Sequence, residues 1–580
     1  MSHSLEQEII LVLNNDASLE NKRILLQQIS KNRRGTNRVL LSVIIQILSK
    51  HILPLHYSKS LEDMIYVDLS EPIYTKLNKI LGKAQCQYFN AICSELLWNH
   101  NHNTAMAKKA VESYLKEIET PTHNDKYGYV RMSLGICRIY SKYKLPFFDY
   151  ETFLRKALLY VEKNLDEDNY AVLFLLKALS AINKHVDLLA NTYKKAIFYY
   201  ETNNMYEKAN EFLEDLEQLL KNTDNKHEIS QLKERIATNY EKATDKYDWD
   251  DPSSSFKIIA LIHKAMAAWD RTNNAKSKTE RNRLAKRIEP VKKLSIKNLV
   301  SFKGPSIDIR EYIDHIKEFI DASSFEMVLY RLCNIIKLKN QKETYNKHKS
   351  EDFSFPLMFG EKVLDQNGRT KCIIPSDLTT CEDEICAIIE HEIYKEYNLV
   401  ADLFIKRYLW IAKESFDFNE ENLAFLVEDN AFIPSDRKTT ILKGLIAGFN
   451  LDLSTAMHLL MPQLENCVRC LAQECGAVVY KTEKNGIESC LSFESILKLP
   501  EVIECFDETF LFNLRLFYTS PYAFGMRNNV CHGLYSDDEL QSSESLAVWW
   551  FTLKICCMFS KNLDERLLSQ AKELKTTDKA

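Results

Sequence analysis

The chain has 580 residues, of which 45% are hydrophobic and 27% are charged, and its formal net charge at pH 7 is -5. One hydrophobic core rarely serves a chain of this length, so we expect about two to four domains. The acidic balance excludes a surface that coats nucleic acid generally, so any contact with RNA must be local. The chain has only 13 glycines and no Gly-rich phosphate loop, which excludes nucleotide cradles of the P-loop and dinucleotide types.

The sequence also predicts a compartment. The segment from Met1 to Glu8 lacks a basic region followed by an apolar one, so no leader peptide is predicted. The longest apolar stretch, from Leu546 to Phe559, contains Lys554 and is too short to span a bilayer. The 15 cysteines follow no regular framework and fit reduced, buried thiols. We therefore expect a cytoplasmic protein that does not enter a membrane.

The first half of the chain has the pattern of helices. Apolar residues recur at helical spacing from Ile24 to about Ala267, which predicts an N-terminal helical domain over residues 1–270. A short pattern centred on an alanine recurs at unequal intervals, in Lys108–Val111, Arg155–Leu158, Lys194–Ile197 and His263–Met266. Small residues of this kind allow close packing in tetratricopeptide-like arrays. A true repeat array and an irregular helical bundle both fit the pattern.

A polar and then basic region follows. The run from Asp250 to Ser255 predicts a loop, and residues 271–298 predict a basic connector between the two halves. This segment is either a solvated helix or linker, or a phosphate-binding surface. Its candidate RNA-binding residues are Arg281, Arg283, Lys286 and Arg287.

The second half is predicted to be helical with one β-hairpin. Residues 299–435 form a middle helical region, in which a hairpin near residues 358–374 turns at Asn367-Gly368. Helices resume at about Glu382. Segments 437–449, 452–476, 491–518 and 522–562 would then supply a compact helical bundle over residues 436–565. The predicted fold class is all-α with one small hairpin.

The most informative segment is Arg527-Asn528-Asn529-Val530-Cys531-His532-Gly533. It combines a permanent cation, an amide and an imidazole that transfers protons near neutral pH, which are the components of a metal-free ribonuclease site. On a regular helix Arg527 and His532 point about 140° apart. They therefore reach one phosphate only if the helix begins near Arg527, or if a second copy of the motif faces the first. Gly533 is predicted to cap the helix.

This heptad resembles the motif of the HEPN superfamily (higher eukaryotes and prokaryotes nucleotide-binding). Active members carry Arg, four to six intervening residues and His, usually with a polar residue after the Arg. The segments Asp436-Arg437, Gly444–Phe449 and His458–Arg469 are similar to the lead-in of a large family with a HEPN-type C-terminus. The resemblance covers at most the last half of the chain and implies that residues 436–565 are a HEPN-like bundle.

The resemblance implies a metal-independent endoribonuclease that acts in phage defence or growth arrest. His532 would serve as general base or acid, Arg527 would stabilise the phosphorane-like transition state, and Asn528 would orient the imidazole or the phosphate. HEPN ribonucleases commonly pair two bundles, so a homodimer is expected. The N-terminal domain would then act as a sensor, an inhibitor or a platform for a protein partner.

Two further features are candidate parts of a site. His458, Glu465 and Arg469 share one helical face; they either support the catalytic cleft or form an ordinary surface ion pair between Glu465 and Arg469. The pair Cys467 and Cys470 has half of a zinc-site spacing, but no second pair completes it. Neither a metal nor a cofactor is predicted.

A second class of function competes with the enzyme. The chain could be a non-catalytic helical scaffold that binds RNA, a nucleotide or a protein, with the heptad retained for folding or dimerisation. His532 could end a helix and interact with its dipole, while Arg527 and Asn528 tie down a loop.

Overall fold

The computed structural model describes residues 4–49, 70–121, 127–165, 170–182, 184–221, 223, 225–301, 306–350, 360–376 and 381–577. The chain divides into two compact units, Met1–Asn298 (unit 1) and Leu299–Ala580 (unit 2). Each unit has its own hydrophobic core. Helices predominate in both units, which confirms the all-α fold class.

Unit 1 is entirely helical in the ranges described. Its helices are, in chain order, α1 Leu5–Asn14, α2 Leu19–Lys31, α3 Gly35–Ile47, α4 Glu71–Leu81, α5 Gln87–Asn101, α6 Thr104–Glu119, α7 Gly128–Lys142, α8 Tyr150–Lys163, α9 Tyr170–Ala181, α10 Val186–Thr202, α11 Tyr206–Leu220, α12 Lys226–Lys242, α13 Pro252–Thr272 and α14 Ala275–Ser295. Short 3-10 turns follow α12 at Ala243–Lys246 and α14 at Ile296–Asn298.

Helices in unit 1 pack in series along the chain. From α10 to α14, each helix packs against the next one. The alanines of the recurring pattern, Ala110, Ala157, Ala196 and Ala265, are all 0% exposed, so the pattern marks places where helices approach closely. Serial packing of neighbours is also how repeat arrays bury their core.

The predicted loop at Asp250–Ser255 is wrong from Pro252 onward. Helix α13 begins there, with Pro252 in its first turn and the Asp251 side chain accepting a hydrogen bond from the N–H of Ser253. Proline fixes φ near its helical value, and Asp caps the free N–H groups of a first turn. The same residues that suggest a loop therefore start a helix.

Unit 2 combines helices with two β-hairpins. Its elements are α15 Arg310–Asp321, α16 Phe325–Cys333, α17 Gln341–Ser350, β1 Glu361–Leu364, β2 Thr370–Ile374, α18 Glu382–Val400, α19 Lys406–Ser415, α20 Glu420–Leu423, α21 Lys438–Phe449, α22 Leu453–Glu474, β3 Tyr480–Thr482, β4 Glu488–Cys490, α23 Phe493–Ile496, α24 Pro500–Cys505, α25 Glu508–Tyr518, α26 Met526–Cys531, α27 Asp537–Leu540, α28 Ser543–Met558 and α29 Lys561–Thr577. A π-helical turn, Ala401–Ile405, joins α18 to α19.

The predicted hairpin is confirmed as the antiparallel pair β1–β2. Gly368 has φ +72° and its N–H donates to the carbonyl of Asp365, so the Asn-Gly signal marks the turn. Met358 and Phe359, predicted to open the hairpin, lie outside the described residues. A second hairpin, β3–β4, was not predicted. Its turn repeats the first, with Gly486 at φ +81° bonded to Glu483, and Asn485-Gly486 was the overlooked signal.

The C-terminal bundle has more and shorter helices than predicted. Helices α21 and α22 match their predicted segments, but segment 491–518 forms α23, α24 and α25, and segment 522–562 forms α26, α27, α28 and the first residues of α29. Pro500 and the Asp507 cap start new helices, and Gly525 and Gly533 adopt left-handed φ values of +51° and +61°. These conformations interrupt a helix.

Helix α28 is the centre of this bundle. Trp549 and Trp550 are 0% exposed and donate to the carbonyls of Leu445 and Leu332. A Cβ on Gly448 would lie 2.0 Å from Trp549 Nε1, so α21 approaches α28 only because this residue is glycine. Throughout the described part of the chain, every helix is too short or too polar to cross a membrane.

Candidate functional site

The heptad forms helix α26 and its C-terminal cap. The helix begins at Met526, one residue before Arg527, after Gly525 in the left-handed region. His532 is the C-cap, and Gly533 and Leu534 donate to the carbonyls of Val530 and Asn529. This is the Schellman pattern, which requires a residue with positive φ after the cap. The predicted capping role of Gly533 is confirmed.

His532 lies at the surface with its side chain unengaged. The residue is exposed, and in the described ranges no hydrogen bond or ion pair involves its imidazole. Its backbone N–H donates to Asn528, the residue one turn earlier, which is also exposed. The helix ends through backbone bonds, so the imidazole is left available for chemistry.

Arg527 belongs to an ionic cluster with Glu465 and Arg469 of α22, which we call the open cluster. Arg527 Nε donates to Glu465 Oε2 at 2.6 Å, and Arg469 Nη2 donates to Glu465 Oε1 at 2.6 Å. The side chains of Arg527, Glu465 and Arg469 are 25%, 12% and 13% exposed. Two guanidinium groups thus share one carboxylate, and the cluster keeps a net positive charge.

The two arginines also make weaker contacts. Arg527 Nη1 donates to Asn528 Oδ1 at 3.2 Å, and Arg469 Nη2 reaches the carbonyl of Leu491 at 3.4 Å. Arg469 Nε is buried and finds no acceptor among the described residues. Of the predicted supporting residues, Glu465 and Arg469 are therefore brought to Arg527. His458 is exposed, and its Nδ1 lies 2.9 Å from Ser454 O on its own helix.

Asn529 links the heptad to a second polar network. Its Nδ2 donates to Tyr535 Oη at 3.0 Å, and Tyr535 donates to Glu544 Oε2 at 3.1 Å. Tyr394 of α18 donates to the other oxygen of Glu544. Burial raises the pKa of both phenols, and the negative charge of Glu544 raises it further. Both tyrosines therefore stay neutral donors and hold α18, α26 and α28 together.

A third group of polar residues was missed from the sequence. Glu390, 6% exposed, accepts from Arg515 Nη2 and from Ser520 Oγ. The neighbouring His391, also 6% exposed, lies 3.0 Å from Tyr522 O through Nδ1. Glu390 and His391 contact residues far from them in the sequence, so no local pattern marks this group.

The candidate RNA-binding residues lie on α14 in unit 1. Arg283 and Arg287 both pair with Glu241 at 2.6 Å, and Arg281 lies 3.2 Å from Asp270. Hydrogen bonds from Arg283 are the main reason that the pKa of Glu241 is lowered. Lys286 is exposed, and within the described ranges it has no ion pair. Much of the positive charge of this helix is therefore already neutralised by α12 and α13.

Cysteines in both units are free thiols. Cys467 is buried, which is the main cause of raising its pKa to about 12, and Cys470 is half-buried. In the part of the chain that is described, His, Cys, Asp and Glu nowhere form a group of three or more that could hold a metal ion.

No family model matches the chain, and neither a curated protein nor a solved structure matches it. The resemblance to the HEPN superfamily therefore rests on the heptad and the segments that precede it. The fold by itself defines an all-α protein of two units, in which the short helix α26 of unit 2 carries most of the heptad.

Proposed function

We propose that the protein is a metal-independent endoribonuclease of HEPN type, and that phage defence or growth arrest is its role. The observation that carries the proposal is the pairing, on one six-residue helix, of a half-exposed arginine in a positive cluster with an unengaged histidine at the cap. An arginine oriented by a carboxylate is pre-organised to bind a developing oxyanion. A free imidazole beside it is available for proton transfer.

The reaction uses the RNA's own nucleophile. His532 takes the proton of a ribose 2′-OH, whose oxygen attacks the adjacent phosphorus as the bond to the 5′-oxygen breaks. Arg527 stabilises the extra charge on the phosphorane-like oxygens, while Glu465 fixes its guanidinium plane. The departing 5′-oxygen receives a proton from the protonated His532 of a second copy, and the products are a 2′,3′-cyclic phosphate and a 5′-hydroxyl.

A homodimer would supply the second proton-transfer group. One motif has one histidine, whereas this cleavage benefits from both a base and an acid. Two apposed copies of α26 would provide both. Helix α26 begins immediately before Arg527, which is the condition given above for a site within one chain. The dimer is therefore proposed because one motif supplies only one histidine. Mixing His532→Ala subunits with wild type should reduce activity more steeply than dilution does.

The direct test is to incubate the purified protein with total RNA in EDTA and to sequence the new ends. We expect cleavage that leaves 2′,3′-cyclic phosphates, spares DNA of the same sequence and disappears in His532→Ala. Arg527→Lys should also lose most activity, because lysine keeps the charge but lacks the fork that binds Glu465 and a phosphate together. Cutting that depends on magnesium and leaves 5′-phosphates would contradict the mechanism.

The alternative is a non-catalytic scaffold that binds RNA, a nucleotide or a protein partner. One observation favours it: Arg527 donates to Glu465 and Asn528, so it serves the fold as well as any substrate. The scaffold predicts that the protein does not cleave RNA and that His532→Ala lowers its stability, whereas the enzyme loses activity in this variant and keeps its melting temperature. In either case, we propose that unit 1 receives the trigger or partner, since its serial helices offer an extended surface.

A further inference from the structure

The hairpin β1–β2 contains an irregularity at one lysine. Val363 pairs with Cys372, but the next residue, Leu364, pairs with Thr370, so the register passes over Lys371. This is a β-bulge, in which the extra residue leaves the ladder and its side chain is redirected. Bulges are common beside active sites for that reason. Lys371 is exposed.

The redirected side chain points to the segment that follows the heptad. Lys371 Nζ lies 3.4 Å from Tyr535 Oη and 5.1 Å from the centre of the Tyr535 ring. The same phenol accepts from Asn529 of α26. At the hairpin turn, Ser536 Oγ lies 3.3 Å from Gln366 Oε1. Two points of the hairpin therefore lie beside residues that directly follow the motif helix.

The base of the hairpin is fixed to α18. Glu361 accepts from Lys395 Nζ at 2.7 Å, and His391 Nε2 lies 3.5 Å from the same carboxylate oxygen. Two-stranded hairpins are marginal in isolation, so these contacts are what hold β1 in place. Burial raises the pKa of Glu361, but the hydrogen bond and charge of Lys395 outweigh it and lower the pKa overall. The anchor is thus charged near neutral pH.

Lys371 has no carboxylate partner in the described part of the chain. Its neighbour Tyr535 is a neutral phenol that already donates to Glu544. The ammonium group is therefore a positive charge that the fold orients but does not neutralise. A phosphate of a bound strand would complete its coordination, since an ammonium binds phosphate as a compact point charge.

We propose that Lys371, set by the bulge of β1–β2, binds a backbone phosphate of the RNA strand next to the cleaved bond. The inference rests on the proposed ribonuclease function and makes the hairpin β1–β2 part of the RNA-binding surface of that site. Tyr535 is then a positioning residue, because it holds Lys371 on one side and Asn529 of the motif helix on the other.

The test measures binding without turnover. A fluorescein-labelled, mixed-sequence single-stranded RNA of about 12 nucleotides is titrated into His532→Ala protein at several salt concentrations, with Lys371→Gln and Lys362→Gln added separately. Lys362 is exposed in the same hairpin but pairs regularly with Ile373, so it is a matched loss of charge. We expect Lys371→Gln to weaken binding about tenfold and to reduce the salt slope by about 0.7. Lys362→Gln should change both much less.

The outcomes separate this inference from the function on which it rests. Equal effects of the two variants, or no effect of Lys371→Gln, would overturn the phosphate contact even if the wild type cleaves RNA. Binding that depends on Lys371 in a protein that never cleaves would retain the contact and discard the nuclease. Failure of the chain to bind RNA at all would end both proposals. Lys371→Arg, which keeps the charge, should restore most of the binding; failure to do so would also count against the contact.

Discussion

Each unit contains a cluster in which arginine meets glutamate, and the two clusters differ in how the charges are matched. In unit 1, Arg138 donates to both oxygens of Glu95, at 2.7 and 3.0 Å, and Tyr114 donates to the same carboxylate. We call these three residues the closed cluster. Arg138 and Glu95 are 5% and 1% exposed. In the open cluster of unit 2, two half-buried guanidinium groups share Glu465.

The two clusters differ in whether any positive charge is left unmatched. The closed cluster matches one guanidinium to one carboxylate out of water, and the charge of Glu95 raises the pKa of Arg138 although burial lowers it. Arg138 Nη1 finds no acceptor among the described residues, but it is buried, and the pair is almost closed to solvent. The open cluster has one cation in excess and is reached by solvent, so it retains the capacity to bind an anion. Both clusters pair arginine with glutamate, but they differ in the number of cations and in their exposure.

The largest loss of stability is expected when the ion pair of the closed cluster is removed. Arg138→Met would leave the Glu95 carboxylate buried without its cation, and should cost about 3 to 5 kcal/mol of stability. Urea unfolding of the full-length protein, with hydrogen exchange followed in α5 and α7, measures this loss. The double variant Glu95→Leu/Arg138→Met should recover much of it. A single-variant loss below about 1 kcal/mol would show that the pair is not a closed structural element.

The next largest loss of stability is expected from a change in the packing against Tyr114 of the closed cluster. A Cβ on Gly135 would lie 2.5 Å from the Tyr114 ring, so Gly135→Ala must displace the ring and should cost about 1 to 3 kcal/mol. Gly82→Ala is the matched control, because its nearest neighbour would lie at an ordinary 3.6 Å. Equal melting temperatures for the two variants would mean that Tyr114 moves freely and that its bond to Glu95 is unimportant.

A half-buried carboxylate that lies near a lysine rather than a guanidinium makes the comparison sharper. Asp215 of α11 lies 3.4 Å from Lys177, and its Oδ2 is buried and finds no hydrogen-bond donor among the described residues. Burial raises its pKa to about 6. The folded state therefore binds more protons than the unfolded state between about pH 4 and 6, and stability is lost as the pH rises through that window.

Asp215→Asn should remove this loss. At pH 7 the variant should be more stable than wild type by about 1 to 3 kcal/mol, and the difference should vanish near pH 3.5. Urea unfolding of both proteins across this pH range measures it. A difference that does not change with pH would mean that Lys177 compensates the Asp215 carboxylate fully.

Much of the fold was predictable, because helical periodicity and the Asn-Gly signal at Asn367-Gly368 are local. The same signal at Asn485-Gly486 was available for β3–β4. The candidate site was predictable in part: the Glu465–Arg469 pair is local to one helix, but its bond to Arg527 joins residues distant in sequence. The Tyr535 network, the His391 anchor and the bulge at Lys371 depend on tertiary contacts, which no spacing in the sequence encodes.

A smaller effect is expected in the open cluster. Glu465→Gln would leave two guanidinium groups without a shared anion, but solvent reaches both, so the loss should be about 1 to 2 kcal/mol. RNA cleavage should fall at the same time, because Arg527 is no longer held. Denaturant unfolding and cleavage rates of the same preparation provide both values. A loss of stability as large as that of Arg138→Met would mean that the open cluster, like the closed cluster, serves mainly to stabilise the fold. This result would favour the scaffold.

The smallest effect on stability is expected at His532, and that is what makes it informative. The cap of α26 is made by backbone bonds and by Gly533 at φ +61°, so His532→Ala should change stability by less than about 0.5 kcal/mol. Gly533→Ala is the matched control: nothing lies within 4 Å of its added Cβ, so its cost of about 1 kcal/mol is one of backbone conformation alone.

Thermal unfolding of both variants tests this order. If His532→Ala proves the more damaging, the imidazole supports the fold, and a loss of cleavage in that variant no longer identifies a catalytic base. If the order holds, any loss of cleavage at His532 reports chemistry, because the helix that carries it is unchanged.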